Sequence, residues 1–238
     1  DGLNPNEVNP EIGAEDQLKN ISKKLSHAGI KWLQDIVPNH MAFDHRNEWL
    51  MDVLELGEQS RYASYFDISR TGSIGNDKLM VPFLSRPLEE VIRNNEMQLV
   101  YDENKLVLKY FDTVWPVNPS SYGFLVKLTG KRIPPDIRQW LKLLQTSQKE
   151  NTLSGKWNEL RAQFSVIHQN EKLRLFIDSC IELINQDKDS MKGFAESQYY
   201  RLCDWQETNE AINYRRFFTV NSLICLNIQN DQVFDNYH

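Results

Sequence analysis

Six residues, Asp35-Ile36-Val37-Pro38-Asn39-His40, bring a carboxylate, an amide and an imidazole into one short run. The carboxylate accepts hydrogen bonds, the amide both donates and accepts, and the imidazole can change charge near neutral pH. The run closes Ile30 to Val37, a largely apolar stretch that reads as a buried parallel strand ended by Pro38. In barrels of alternating strands and helices, polar residues at strand C-termini face the ligand, because the loops there form the cleft. A second reading stays open, in which Asp35 and His40 satisfy backbone groups at the strand end and Asn39 caps a turn. His40 and His45 with Asp44 between them have the residue types of a zinc site, but their spacing places them off a common helical face, and no metal is expected.

The elements that must position this run are legible by periodicity. Leu18, Ile21, Leu25 and Ala28 recur at three- and four-residue steps, predicting a helix over 15–28 with one buried stripe and Gly29 as its left-handed cap. Before it, Asp1 to Glu11 is Asn/Pro/Gly-rich loop, so the helix–strand unit lacks a preceding strand and is expected to be truncated at its start. Beyond His40, Trp49, Leu50, Val53 and Leu54 predict a helix over 47–56, and Pro82 makes the strand at 78–84 an edge or irregular one. A helix starting near Pro87 and a hairpin of 97–101 with 105–111 follow. Three helices are expected at 135–147, 156–169 and 171–185, with Trp140 and Trp157 in their apolar stripes and so in the core. Gln186 to Lys192 reads as a turn, and 231–238 as a helix that stops short.

Composition narrows the function classes. With 27 Lys plus Arg against 33 Asp plus Glu, the net charge of -6 argues against a nucleic-acid partner. Forty per cent apolar residues, six of them Trp, are enough for a folded core among 238 residues. No apolar run approaches the roughly 18 residues of a membrane span, so no membrane partner is expected. Cys180, Cys203 and Cys225 lie far apart in no metal-like spacing, and an odd count suits free thiols and a cytoplasmic location.

The run at 35–40 is similar to the first signature of the alpha-amylase superfamily, Asp-x-Val-x-Asn-His at the end of the third barrel strand. The longer Asp35 to Ala42 resembles the maltooligosyltrehalose synthase family within it. Further blocks resemble that family in the same order: Asn9 to Gly13, Ser60 to Ile68, Leu106 to Asp112, and Asn213-Tyr214-Arg215-Arg216-Phe217-Phe218. The resemblance implies an α+β fold: a partial (β/α) barrel segment at 1–45, a large inserted, mainly helical subdomain with a small β element at 46–212, and a return toward the barrel at 213–238. It implies an enzyme that isomerises the reducing-end α-1,4 linkage of a maltooligosaccharide to an α,α-1,1 linkage by intramolecular transglycosylation, without a cofactor.

Retaining chemistry of that kind needs a nucleophilic carboxylate and an acid roughly 5 Å apart. In the family these lie in motifs of the Gly-x-Arg-x-Asp type, and no such motif occurs in the 238 residues. The chain is therefore expected to be an internal fragment, inactive alone, with substrate-binding but no catalytic residues. By the resemblance, His40 hydrogen-bonds the glucose ring before the broken bond, and Asp35 and Asn39 share its rim. Asn39 corresponds to a calcium-binding position in many amylases, yet one amide is far short of the six to eight oxygens calcium takes, and no metal is expected. Arg215 and Phe218, with Arg216 and Phe217 between them, read either as a clamp and stack on the sugar or as a buried ion pair and core. Two other functions remain: a noncatalytic carbohydrate-binding or assembly module, and a fragment of a starch-hydrolysing amylase. The blocks at 60–68 and 213–218 disfavour the second.

Overall fold

Of the 238 residues, the computed structural model describes residues 2–69, 78–127, 130 and 132–237. The helix read from Leu18, Ile21 and Leu25 is present as α1 (Glu15–His27), and Gly29 ends it at φ 72° with Ile30 N donating to Leu25 O. Its stripe, however, is not buried: no residue of α1 is, and Ile21 is 48% exposed. The strand expected at 30–37 is absent. Those residues carry no regular secondary structure and are unpaired, with Leu33 96% exposed, because no neighbouring strand among the described residues offers a ladder. Pairing begins only at β1 (His40–Ala42), which runs antiparallel to β7 (Leu223–Cys225).

From there the chain builds one continuous core, reaching from Met41 to Val233. Asn47 starts α2 (Glu48–Leu56) by accepting from Leu50 N at 3.2 Å while its Nδ2 donates to Ala42 O at 2.8 Å, so one buried side chain joins helix to strand. The next strand, β2 (Leu79–Leu84), pairs in parallel with β6 (Tyr200–Asp204), and its register shifts between Val81 and Leu84, where Pro82 has no N–H to give. Pro87 caps α3 (Leu88–Arg93). The expected hairpin is β3 (Met97–Asp102) with β4 (Lys105–Tyr110), and β5 (Thr113–Pro116) extends it through a second tight turn. Each turn places a non-glycine residue at positive φ, Glu103 at 51° and Phe111 at 52°.

The helical layer is α4 (Ser121–Lys127), α5 (Pro135–Lys149), α6 (Leu153–Gln169) and α7 (Glu171–Gln186). Trp140 and Trp157 are both buried in it, as their stripes require, and Trp140 Nε1 donates to Leu160 O at 2.8 Å. The turn expected at 186–192 shrinks to Asp187, whose carboxylate accepts from Ser190 N at 2.8 Å and caps α8 (Lys188–Glu196). The polarity of that stretch belongs to a helix start rather than to a loop. A last helix, α9 (Asp231–Tyr237), lies beyond β7. The described residues thus mix helices with three small sheets, and no closed barrel forms among them.

Candidate functional site

Three of the expected site residues, Asn39, His40 and Arg215, gather around β7. On one side it pairs with β1, placing His40 opposite Cys225, and Leu226 N donates to Asn39 O at 3.0 Å. On the other side Arg216 bridges Ile224, Cys225 N donates to Arg215 O, and Phe217 N donates to Leu223 O. A third segment joins there, since Phe66 bridges Leu226 and Arg215 N donates to Asp67 O at 2.9 Å. One three-residue strand therefore brings together parts of the chain near 40, 67 and 217.

Within this frame the His40 ring stacks on Phe217, with centroids 4.0 Å apart and planes 11° from parallel. Its Nδ1 lies 2.7 Å from Asn39 Oδ1. An amide oxygen only accepts, so Nδ1 carries the proton. Partial burial lowers the His40 pKa from the ordinary histidine value, which favours the neutral ring. Phe217 in turn meets Phe218 edge-on at 4.4 Å and 61°. Phe218 is 80% exposed with φ 54°, an uncommon backbone for a bulky residue and an outward-facing aromatic surface.

Neither of the tandem arginines is buried. Arg215 is exposed and lies 3.5 Å from the Asp67 carboxylate. Arg216 turns the other way and donates to Asn221 Oδ1 at 2.5 Å, beside the buried Tyr214 that packs on Phe43. Asp35 does not join the group: it is exposed in the unpaired segment, where its main-chain oxygen accepts from Gln34 Nε2. Asn39 and His40 are therefore adjacent as expected, Arg215 and Phe218 reach the same small sheet, and Asp35 stands apart.

The alternative zinc pair is occupied otherwise. Asp44 takes the Arg46 guanidinium through both oxygens at 2.9 Å, which lowers its carboxyl to about 2, and His45 stands 3.5 Å from it. No group of three metal-ligating side chains occurs among the described residues. The three cysteines are buried thiols outside any disulfide, and burial raises the Cys203 thiol to about 12. Sequence reasoning left Asp67 off the site and weighed Phe217 only together with its neighbours, as sugar stack or as core. Each stood inside a quoted block, but the pairings that give them roles join residues far apart in the chain.

Comparison with known proteins adds four findings. The alpha-amylase family, described as alpha amylase, catalytic domain, matches residues 1–134. A putative maltooligosyl trehalose synthase of Mycobacterium tuberculosis (strain ATCC 25618 / H37Rv) is 35% identical over 86 residues, 35% of this chain and 11% of that protein. Among solved structures, DSM5389 glycosyltrehalose synthase aligns over 100% of this chain and 24% of its own, at 28% identity and a TM-score of 0.65. A crystal structure of maltooligosyl trehalose synthase aligns over 100% and 23%, at 26% identity and 0.62. This chain thus spans about a quarter of the length of the solved relatives and about a tenth of the curated one.

Proposed function

Because the chain belongs to the alpha-amylase catalytic-domain family, we propose that it is the sugar-positioning part of an enzyme that converts the reducing-end α-1,4 linkage of a maltooligosaccharide to an α,α-1,1 linkage. The observation that carries this reading is His40, the last residue of the superfamily signature, held between Asn39 Oδ1 and the face of Phe217 beside the exposed ring of Phe218. An imidazole fixed at one nitrogen can hydrogen-bond a glucose hydroxyl, and an outward aromatic face can stack on the apolar face of the sugar. The names of the similar proteins support the substrate class.

In this reading the residues of this chain bind and orient. The bond-breaking step requires the carboxylate pair of a retaining glycosyl transfer, and the Gly-x-Arg-x-Asp motif that carries it in the family is not in the sequence. Asn39, whose oxygen serves His40, is assigned no metal. Asp35 and Arg215 are secondary sugar contacts, Arg215 being oriented by Asp67. Residues 1–45 and 213–238 are assigned to the barrel side and 46–212 to the insertion. On that assignment the bare stripe of α1 and the unpaired 30–37 segment are the barrel's second helix and third strand.

Saturation-transfer NMR with maltopentaose and the 238-residue chain tests the reading. Transfer to the glucose protons is expected for the unaltered chain and is expected to fall several-fold in His40→Ala. Equal transfer in both removes His40 from the sugar contacts.

A further inference from the structure

Phe218 is carried by the loop 217–222, which joins Arg216 to β7 through two successive tight turns. Val220 N donates to Phe217 O at 3.3 Å, and Leu223 N donates to Val220 O at 3.2 Å. Phe218 is the first corner of the first turn, at φ 54°, where glycine and asparagine are the usual occupants. An aromatic residue at such a corner strains the backbone, and a ring that is 80% exposed gains little from burial. The second turn is where the loop is tied to the rest of the fold.

Asn221 makes that tie with three of its polar atoms. Its main-chain oxygen accepts from the Tyr214 hydroxyl at 3.3 Å, its Oδ1 accepts from Arg216 Nη1 at 2.5 Å, and its Nδ2 donates to Thr208 Oγ1 at 3.2 Å. Thr208 has a single hydroxyl proton, and Trp205 O at 2.7 Å is a nearer acceptor than Asn221 Oδ1 at 3.4 Å. The order of donors is therefore set: Arg216 donates to Asn221, Asn221 to Thr208, and Thr208 to Trp205 O. Thr208 is buried in the 3-10 helix Trp205–Asn209. A carboxamide holds an acceptor and a donor on one plane, which neither a carboxylate nor an aliphatic side chain can copy.

From this geometry we propose that Asn221 is a positioning residue: it anchors the loop on Thr208 and so holds the ring of Phe218 where a glucose unit stacks on it. Asn221 acts on the sugar only through that ring. The proposal rests on the reading of Phe218 as part of the sugar-binding surface. It adds two residues, Asn221 and Thr208, that lie outside every block resembling the family.

A double-mutant cycle on the 238-residue chain tests this, with maltopentaose affinity and melting temperature measured on the same preparations. Asn221→Ala is expected to weaken maltopentaose binding roughly three- to tenfold, the cost of reordering a released loop. Thr208→Val, which keeps the shape and removes the hydroxyl, is expected to weaken it similarly, and Thr208→Ser, which keeps the hydroxyl, to bind as the unaltered chain does. In a chain already carrying Phe218→Asn, which suits the positive-φ corner, Asn221→Ala is expected to cost no further affinity. Unchanged affinity in Asn221→Ala alone overturns the proposal, provided that Phe218→Asn weakens binding. An equal loss in both backgrounds also overturns it, since Asn221 would then touch the sugar or act through the fold. If Phe218→Asn leaves affinity unchanged, the sugar reading of Phe218 fails and the ring NMR signals of Phe218 decide the positioning role. Signals shifted by Asn221→Ala support that role, and signals left in place overturn it.

Discussion

Asp44 and His40 give opposite faces of the same linkage between protonation and folding. Arg46 lowers the Asp44 carboxyl to about 2, so its contribution to stability is complete above its ordinary value near 4 and is lost as pH falls toward 2. His40 is also lowered, by burial, but here the lowered form is the neutral one. Its cost begins as pH falls through about 6.5, where the unfolded chain takes up the proton first. Urea midpoints between pH 8 and 3 are expected to decline in two stages, with the upper stage missing in His40→Ala and the lower stage reduced in Asp44→Asn. In an enzyme carrying this chain, His40→Ala is expected to lower turnover roughly ten- to a thousandfold, the loss of about 1 to 4 kcal/mol of transition-state stabilisation, with little change in melting temperature. A destabilised but fully active variant would instead make His40 a strand-end residue. The two readings of residues 35–40 were both legible in the sequence. The structure places Asp35 on an exposed, unpaired segment and not at the end of a strand.

Among the elements, the join between β1 and α2 hangs on Asn47, which is wholly buried and makes one bond to each. Asn47→Ala removes the cap and strands the Ala42 carbonyl, so a loss of about 1 to 3 kcal/mol in chemical denaturation is expected. Asn47→Asp keeps the acceptor and is expected to lose less. Hydrogen exchange is expected to protect Leu173 to Ile184 of α7 far longer than Trp32 to Val37, because α7 packs its stripe on α6 and α8 while 30–37 has no ladder. Comparable protection would mean that 30–37 has found a strand partner. Helices α5, α6 and α7 were readable because a 3.6-residue stripe is written along one stretch of chain. The helix α8 was not, since its Lys-Asp-Ser start looks like a turn until Asp187 caps it.

At the scale of the whole molecule, the 238 residues alone are expected to leave maltopentaose intact after long incubation, as judged by chromatography, because the sequence holds no Gly-x-Arg-x-Asp carboxylate motif. Turnover that disappeared with a substitution inside the chain would place a catalytic pair among these residues.

The sequence by itself determined the family, through a six-residue signature and ordered blocks, and determined most helices, because side-chain periodicity is local. It also determined that Trp140 and Trp157 are core. Only the tertiary structure decided which stripes are covered: α1 and α5 look alike as patterns, yet α5 buries its apolar face and α1 buries none. Likewise, the identity of the residues beside His40 depended on β7 pairing with β1 on one edge and meeting Arg216 and Phe66 on the other. Strand register across such distances is set by the packing of the folded chain. No local pattern of side chains encodes that Phe217 would cover His40 or that Asp67 would hold Arg215.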